Sequence, residues 1–161
     1  MKKWDVLKSL NFKQIRSLFG WFLKHPIFML AAFKATLKTL NVVNEKFPGV
    51  HDGHNKANAF RHAFWNVIIA KECYRFSSNI DKVLGWTKTI TDWHEEFSPN
   101  EKMPRLMDLH NNAFGRKLFL TLKNNSDKEI QEFLILKMKS AVKVKNVSEI
   151  DKTNNLIFLE N

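Results

Sequence analysis

Apolar side chains recur at helical spacing along most of the chain, and clusters of polar residues break that spacing in only a few places. In residues 12–24, Phe12, Ile15, Leu18, Phe19, Phe22 and Leu23 repeat as one helical face would. Pro26 suits a first-turn position, so a second helix is predicted from there to the break at Phe47-Pro48-Gly49. Its stripe of Phe33, Leu37 and Leu40 runs beside Lys34 and Lys38. Core packing is the default expectation for both helices, and a helix lying on a membrane surface is the alternative their basic borders suggest.

A polar loop over residues 48–56 leads into a third helix, capped by Asn55 or Asn58 and running to about residue 76. After a break at residues 77–81, a fourth helix extends to residue 97 despite Gly85. A loop with two prolines, residues 98–104, precedes a fifth helix starting at Arg105. Ser126 and Glu129 form a capping box at the head of a sixth, which the pattern extends to Lys143. Residues 154–161 fit a short strand or an extended strap. No repeat, low-complexity run or linker interrupts this order. The expected fold is an all-α single-domain bundle of about six helices, with a polar site between three of them. Residues 1–47 form a basic amphipathic helical segment packed on or leading into the domain, and residues 48–161 carry the motif clusters.

Three of the predicted helices bear polar residues on apolar faces. On the third, Asn58, His62 and Asn66 fall at i, i+4 and i+8, beside Arg61 and Trp65. On the fourth, Asp92, His94 and Glu95 lie near the C-terminal end. On the fifth, Asp108, Asn112 and Arg116 repeat at i, i+4 and i+8, next to Asn111 and Gly115. Buried polar groups destabilise a fold unless partners satisfy them, so three such stripes in one small domain are expected to converge. Gly115, costly in a helix interior by about 1 kcal/mol against alanine, marks a place where another helix or a substrate comes close.

The residue types suit metal or acid–base chemistry. His62, His94 and Asp108 would supply two imidazoles and a carboxylate to a divalent metal, leaving positions for water and substrate. Glu95 would act as general base, and Arg61 and Arg116 would bind and stabilise an anionic group. Asn66, Asn111, Asn112 and Trp65 would support these groups from behind. The loop residues His51, Asp52 and His54 are candidates for an extra ligand or a substrate contact. The competing expectation is a register-fixing network of ion pairs and amide bonds with no chemistry.

Bulk composition narrows the partners more than the fold. A formal charge of +10 favours anionic ones: nucleic acid, lipid headgroups, phosphate esters or wall polymers. Fourteen Phe and five Trp supply a core without disulfides, and the lone Cys73 is expected to be a buried structural thiol in a reducing compartment. The N-terminus has no signal-peptide core, and the apolar run at residues 26–33 is shorter than the roughly 20 residues a bilayer span takes. A cytoplasmic or peripheral membrane protein is expected, without a signal peptide or transmembrane helix.

The segments "NAFRHAFWN", "DWHEE" and "MDLHNNAFGR" together resemble a bacterial all-α domain family of unknown function, over roughly residues 50–120. The matching positions are Arg61, His62, Trp65, Asn66, His94, Glu95, Asp108, Asn111, Asn112, Gly115 and Arg116, with Asn58 standing where relatives carry aspartate. Related domains resemble terminal modules of secreted, wall-associated or toxin-like proteins, which implies a hydrolytic or toxin-like role. The ligand pattern is also similar to helical metal-dependent phosphohydrolases, with His94–Glu95 as the middle pair and Asp108 as the last carboxylate. The expected function is a metal-assisted hydrolase acting on an anionic, phosphoester-like substrate. The alternative is a non-catalytic helical module that binds a membrane surface, nucleic acid (the less favoured target) or a protein partner through its basic N-terminal segment.

Overall fold

A computed structural model of the chain describes residues 12–97 and 101–160. Among them are seven helices, six of them substantial: α1 Phe12–Lys24, α2 Pro26–Lys46, α3 Lys56–Tyr74, α4 Ile80–Phe97, α5 Lys102–Leu122, α6 Asp127–Lys139 and the short α7 Val147–Ile150. A small parallel sheet pairs β1 (Val142–Lys143) with β2 (Ile157–Phe158), in the register Val142 to Ile157 and Lys143 to Phe158. The predicted all-α bundle is therefore the observed fold. The pattern errs at some ends. Residues 142–143 leave the sixth helix to form β1, and α5 starts three residues early at Lys102. Pro104 sits in its first turn, where the missing N–H has no intrahelical partner to lose.

α3 is the central helix, packed by α2, α4, α5 and α6, and buried on nearly every side. Asn55 caps it, its side chain accepting from the backbone N–H groups of Ala57 (2.9 Å) and Asn58 (3.2 Å). Phe60, Phe64, Ile68 and Ile69 fill the core around it. At the α3–α5 crossing, a Cβ on Gly115 would lie 2.9 Å from both the carbonyl carbon and the Cα of Ala63. The glycine thus answers to the backbone of a neighbouring helix, one of the two reasons its position suggested.

The expectations about the N-terminal helices hold only in part: of the α2 stripe Leu40 is buried and Leu37 half-buried, but Phe33 and the stripe of α1 are not. The core face of α2 is built on Phe28, Ala31, Ala32, Ala35 and Val43, while Phe33 points outward at 51% exposure. Alanines let α2 approach α3 closely, which Phe33 on that face would prevent. No residue of α1 is fully buried. It is held through Leu18 and Trp21, whose indole meets Trp86 at 6.2 Å and Trp93 at 5.7 Å, both edge-on. That contact turns its larger apolar stripe away from the core. α2 is long and apolar enough to cross a membrane by length and composition alone, yet its inner face is part of the domain core.

Charged groups tie the outer helices to α3. Glu72, nearly buried, meets Lys34 at 3.0 Å and Lys38 at 2.6 Å, and Asp127 joins Lys38 at 2.7 Å and Lys71 at 2.8 Å. Cys73 is buried, and burial, aided by Glu72, pushes its thiol up to about 12, so it stays an inert apolar group.

Candidate metal centre

Three helices deliver one buried polar cluster. His62 and Asn66 come from α3, Thr91 and Glu95 from α4, and Asp108, Asn112 and Arg116 from α5. His62, Glu95 and Asp108 are each buried, and their ligand atoms all lie within 4.8 Å of one another. This triad could hold a metal ion. It differs from the expected set in one member: Glu95 enters where His94 was anticipated.

Hydrogen bonds fix how the imidazole presents itself. His62 Nδ1 lies 3.1 Å from Asn112 Oδ1 and 3.3 Å from Glu95 Oε1, both acceptors, so it carries the proton. Nε2 lies 3.1 Å from the Arg61 Nη2 donor and 3.3 Å from Asp108 Oδ1. A guanidinium nitrogen can only donate, so in the neutral ring Nε2 is the acceptor toward Arg61, the form a metal ligand or a base requires. Asn112 organises the centre: its Oδ1 accepts from Asn66 Nδ2 at 2.7 Å, and its Nδ2 donates to Glu95 Oε1 at 2.9 Å. Asn66 also donates to the His62 carbonyl at 2.9 Å.

The two carboxyl groups are driven in opposite directions. Burial favours the neutral form of Glu95, but His62, His94 and the Asn112 amide outweigh it and hold the group below its ordinary range. Glu95 is therefore ionised at neutral pH, and its buried Oε2 has no hydrogen-bond partner. Asp108 is raised, chiefly by burial and also by the charge on Glu95, against the pull of His62 and Arg61. Opposed pKa shifts in adjacent buried carboxyl groups are characteristic of sites with assigned proton and ligand roles.

The remaining candidates sort by position. Arg61 borders the cluster, partly exposed, with Nη1 donating to Asp52 at 2.9 Å. Arg116 turns elsewhere: its Nη1 donates to Asn66 Oδ1 at 3.1 Å and Thr91 Oγ1 at 3.2 Å, which makes it a clamp on the asparagine that supports His62. His94 is exposed, its ring edge-on to Trp65 at 5.2 Å. Trp65 donates from Nε1 to Thr36 Oγ1 at 2.9 Å. Asn111 points toward the sheet, accepting from Ile157 N at 3.0 Å and donating to Ile157 O at 2.9 Å. Asn58 donates to the Gly53 carbonyl at 2.5 Å and shapes the preceding loop. His51 is buried rather than solvated, with Nε2 2.9 Å from Asn44 Oδ1. Thr91 was not among the sequence-derived candidates, although it stands one turn before Glu95 on the same helical face.

A family model described as a domain of unknown function, DUF6973, matches residues 19–142, more than half of the chain. No curated protein and no solved structure matches it.

Proposed function

The chain belongs to the DUF6973 family, and we propose that it is a metal-assisted hydrolase acting on an anionic, phosphoester-like substrate. The observation that carries this reading is Glu95 Oε2, a bare oxygen on an ionised carboxylate in the interior. Asn112 and His62 serve Oε1 alone, an unsatisfied buried oxygen costs about 1–3 kcal/mol, and a divalent cation shared with His62 and Asp108 would remove that cost. The 3.3 Å between His62 Nε2 and Asp108 Oδ1 suits neighbouring ligands on one ion, given metal–ligand distances of about 2.0–2.2 Å. When bound, such an ion supplies Lewis acidity toward a phosphoryl oxygen and toward water.

The protein's own groups do the rest. Asn112 holds Glu95 and the Nδ1 edge of His62 in place, which turns Nε2 toward Asp108 and Arg61. Arg61, partly exposed beside Nε2, binds the anionic group and offsets charge as it builds in the transition state. Arg116 positions Asn66 rather than the substrate. Glu95 fills one of two roles, ligand or proton acceptor, and a single variant separates them. With Mn2+ or Zn2+ and an aryl phosphodiester, Glu95→Gln should lower kcat/KM by about 100-fold or more with its helical circular dichroism intact. Loss of bound ion in that variant assigns a ligand, and retention assigns the proton acceptor. Unchanged turnover, or no turnover by the native chain with any divalent ion, would dismiss the hydrolase.

A further inference from the structure

α1 shows its most apolar side to solvent. Phe12, Ile15, Phe19 and Phe22 follow at i, i+3, i+7 and i+10, a single stripe, and they are 81%, 51%, 62% and 41% exposed. Leu23 widens the stripe at the end of α1. Ile27, Leu30 and Phe33 of α2 are each more than half exposed as well, and Ile27 and Leu30 line a groove with Phe76. Surfaces of water-soluble domains rarely leave so many large apolar groups together without an occupant.

The charge around this face selects the occupant. Between Phe12 and Asn44 the sequence has five lysines and arginines and no carboxylate. Three of them, Lys13, Arg16 and Lys24, are on α1 itself and carry the charge of the face, whereas Lys34 and Arg75, in the groove beside Phe76, are already paired with Glu72 at 3.0 and 3.5 Å. Two copies of this face would bring like-charged borders together, and a nucleic acid would meet the apolar stripe in place of a continuous cationic track. An anionic lipid surface satisfies both features, taking the aromatic side chains below its headgroups and the cations at their level.

We propose that α1 and the first half of α2 form a docking face for an anionic membrane surface, on which the domain lies without crossing it. Spanning by α2 would pull Phe28, Ala31, Ala35 and Val43 out of the core. The face is mechanically joined to the helix that supplies Glu95. Trp21 of α1 packs on Trp93, and Lys13 Nζ sits 5.5 Å over the Phe97 ring, both on α4.

Co-sedimentation of the full chain with phosphatidylcholine vesicles, with and without phosphatidylglycerol, tests this. Binding should strengthen about tenfold or more when the anionic lipid is present and weaken as salt rises. Phe19→Glu with Phe22→Glu should abolish it. The triple variant Lys13→Gln, Arg16→Gln, Lys24→Gln, which leaves the apolar stripe whole, should lose the anionic preference. Three results would overturn the proposal. One is equal binding to both vesicle types, and another is native-like binding by the triple variant. The third is a concentration-dependent dimer that the Phe variant breaks while no vesicle binds, since the face is then a contact between copies.

Discussion

Asn112 has one amide and three partners, and two of its bonds go to titratable neighbours, His62 and Glu95. Replacing it with alanine removes a donor from an ionised Glu95 and an acceptor from His62. We expect Asn112→Ala to destabilise the fold by about 2–4 kcal/mol in urea denaturation. Asp108 behaves in the opposite way. Burial keeps it a reluctant carboxylate, so its ionisation costs stability in the folded state. Asp108→Asn should therefore raise stability by about 1 kcal/mol at neutral pH while ending metal binding, a trade typical of functional sites. The sign follows from linkage. A folded pKa above the unfolded one means the cost is absent below the unfolded pKa, grows above about pH 4, and is complete above the folded pKa. The advantage of Asp108→Asn over the native chain, measured as Tm at several pH values, should thus vanish in acid and level off as pH rises.

Helices decide which of two neighbouring residues reaches the site. His62, Asp108 and Asn112 were legible in the sequence because polar positions at i, i+4 and i+8 stand out on apolar helices. His94 and Glu95 could not be separated that way. Adjacent residues lie about 100° apart round a helix, and the rotation of α4 is set by where its tryptophans pack. The buried stripe Val83, Thr87, Thr91, Glu95 does mark the inner face, but threonine is too weakly apolar to announce it. Asn111 and Asn112 pose the same ambiguity. Asn111 proves to be a structural anchor for a strand 46 residues away, a contact with no local signal. Asn111→Ala should leave two buried backbone groups of Ile157 unpaired, cost about 2–4 kcal/mol, and show first as faster amide exchange at Ile157. Gly115→Ala forces α5 away from the Ala63 backbone. It should cost about 1–3 kcal/mol or more in a denaturant titration, although alanine is the better helix former.

At the scale of the whole molecule, the bundle was readable from periodicity because its helices are long and their breaks carry proline, glycine or capping residues. The outward face of α1 was not, since an apolar stripe predicts burial without saying what covers it. Glu72, Asp127 and Glu95 all have depressed folded pKa values. They contribute stability that is present above the ordinary carboxylate range and lost as pH falls through their folded values, so Tm should fall in acid below about pH 4.

Metal content tests the central claim most directly. The full chain, stripped of ions, equilibrated with Mn2+ or Zn2+ and freed of excess, should hold one ion per molecule by elemental analysis and melt at a higher temperature than the stripped form. Asp108→Asn, folded and at least as stable, should hold none. A native chain that retains no divalent ion, and whose Tm neither ion nor chelator moves, would contradict the account and leave His62, Glu95 and Asp108 as a device for fixing three helices in register.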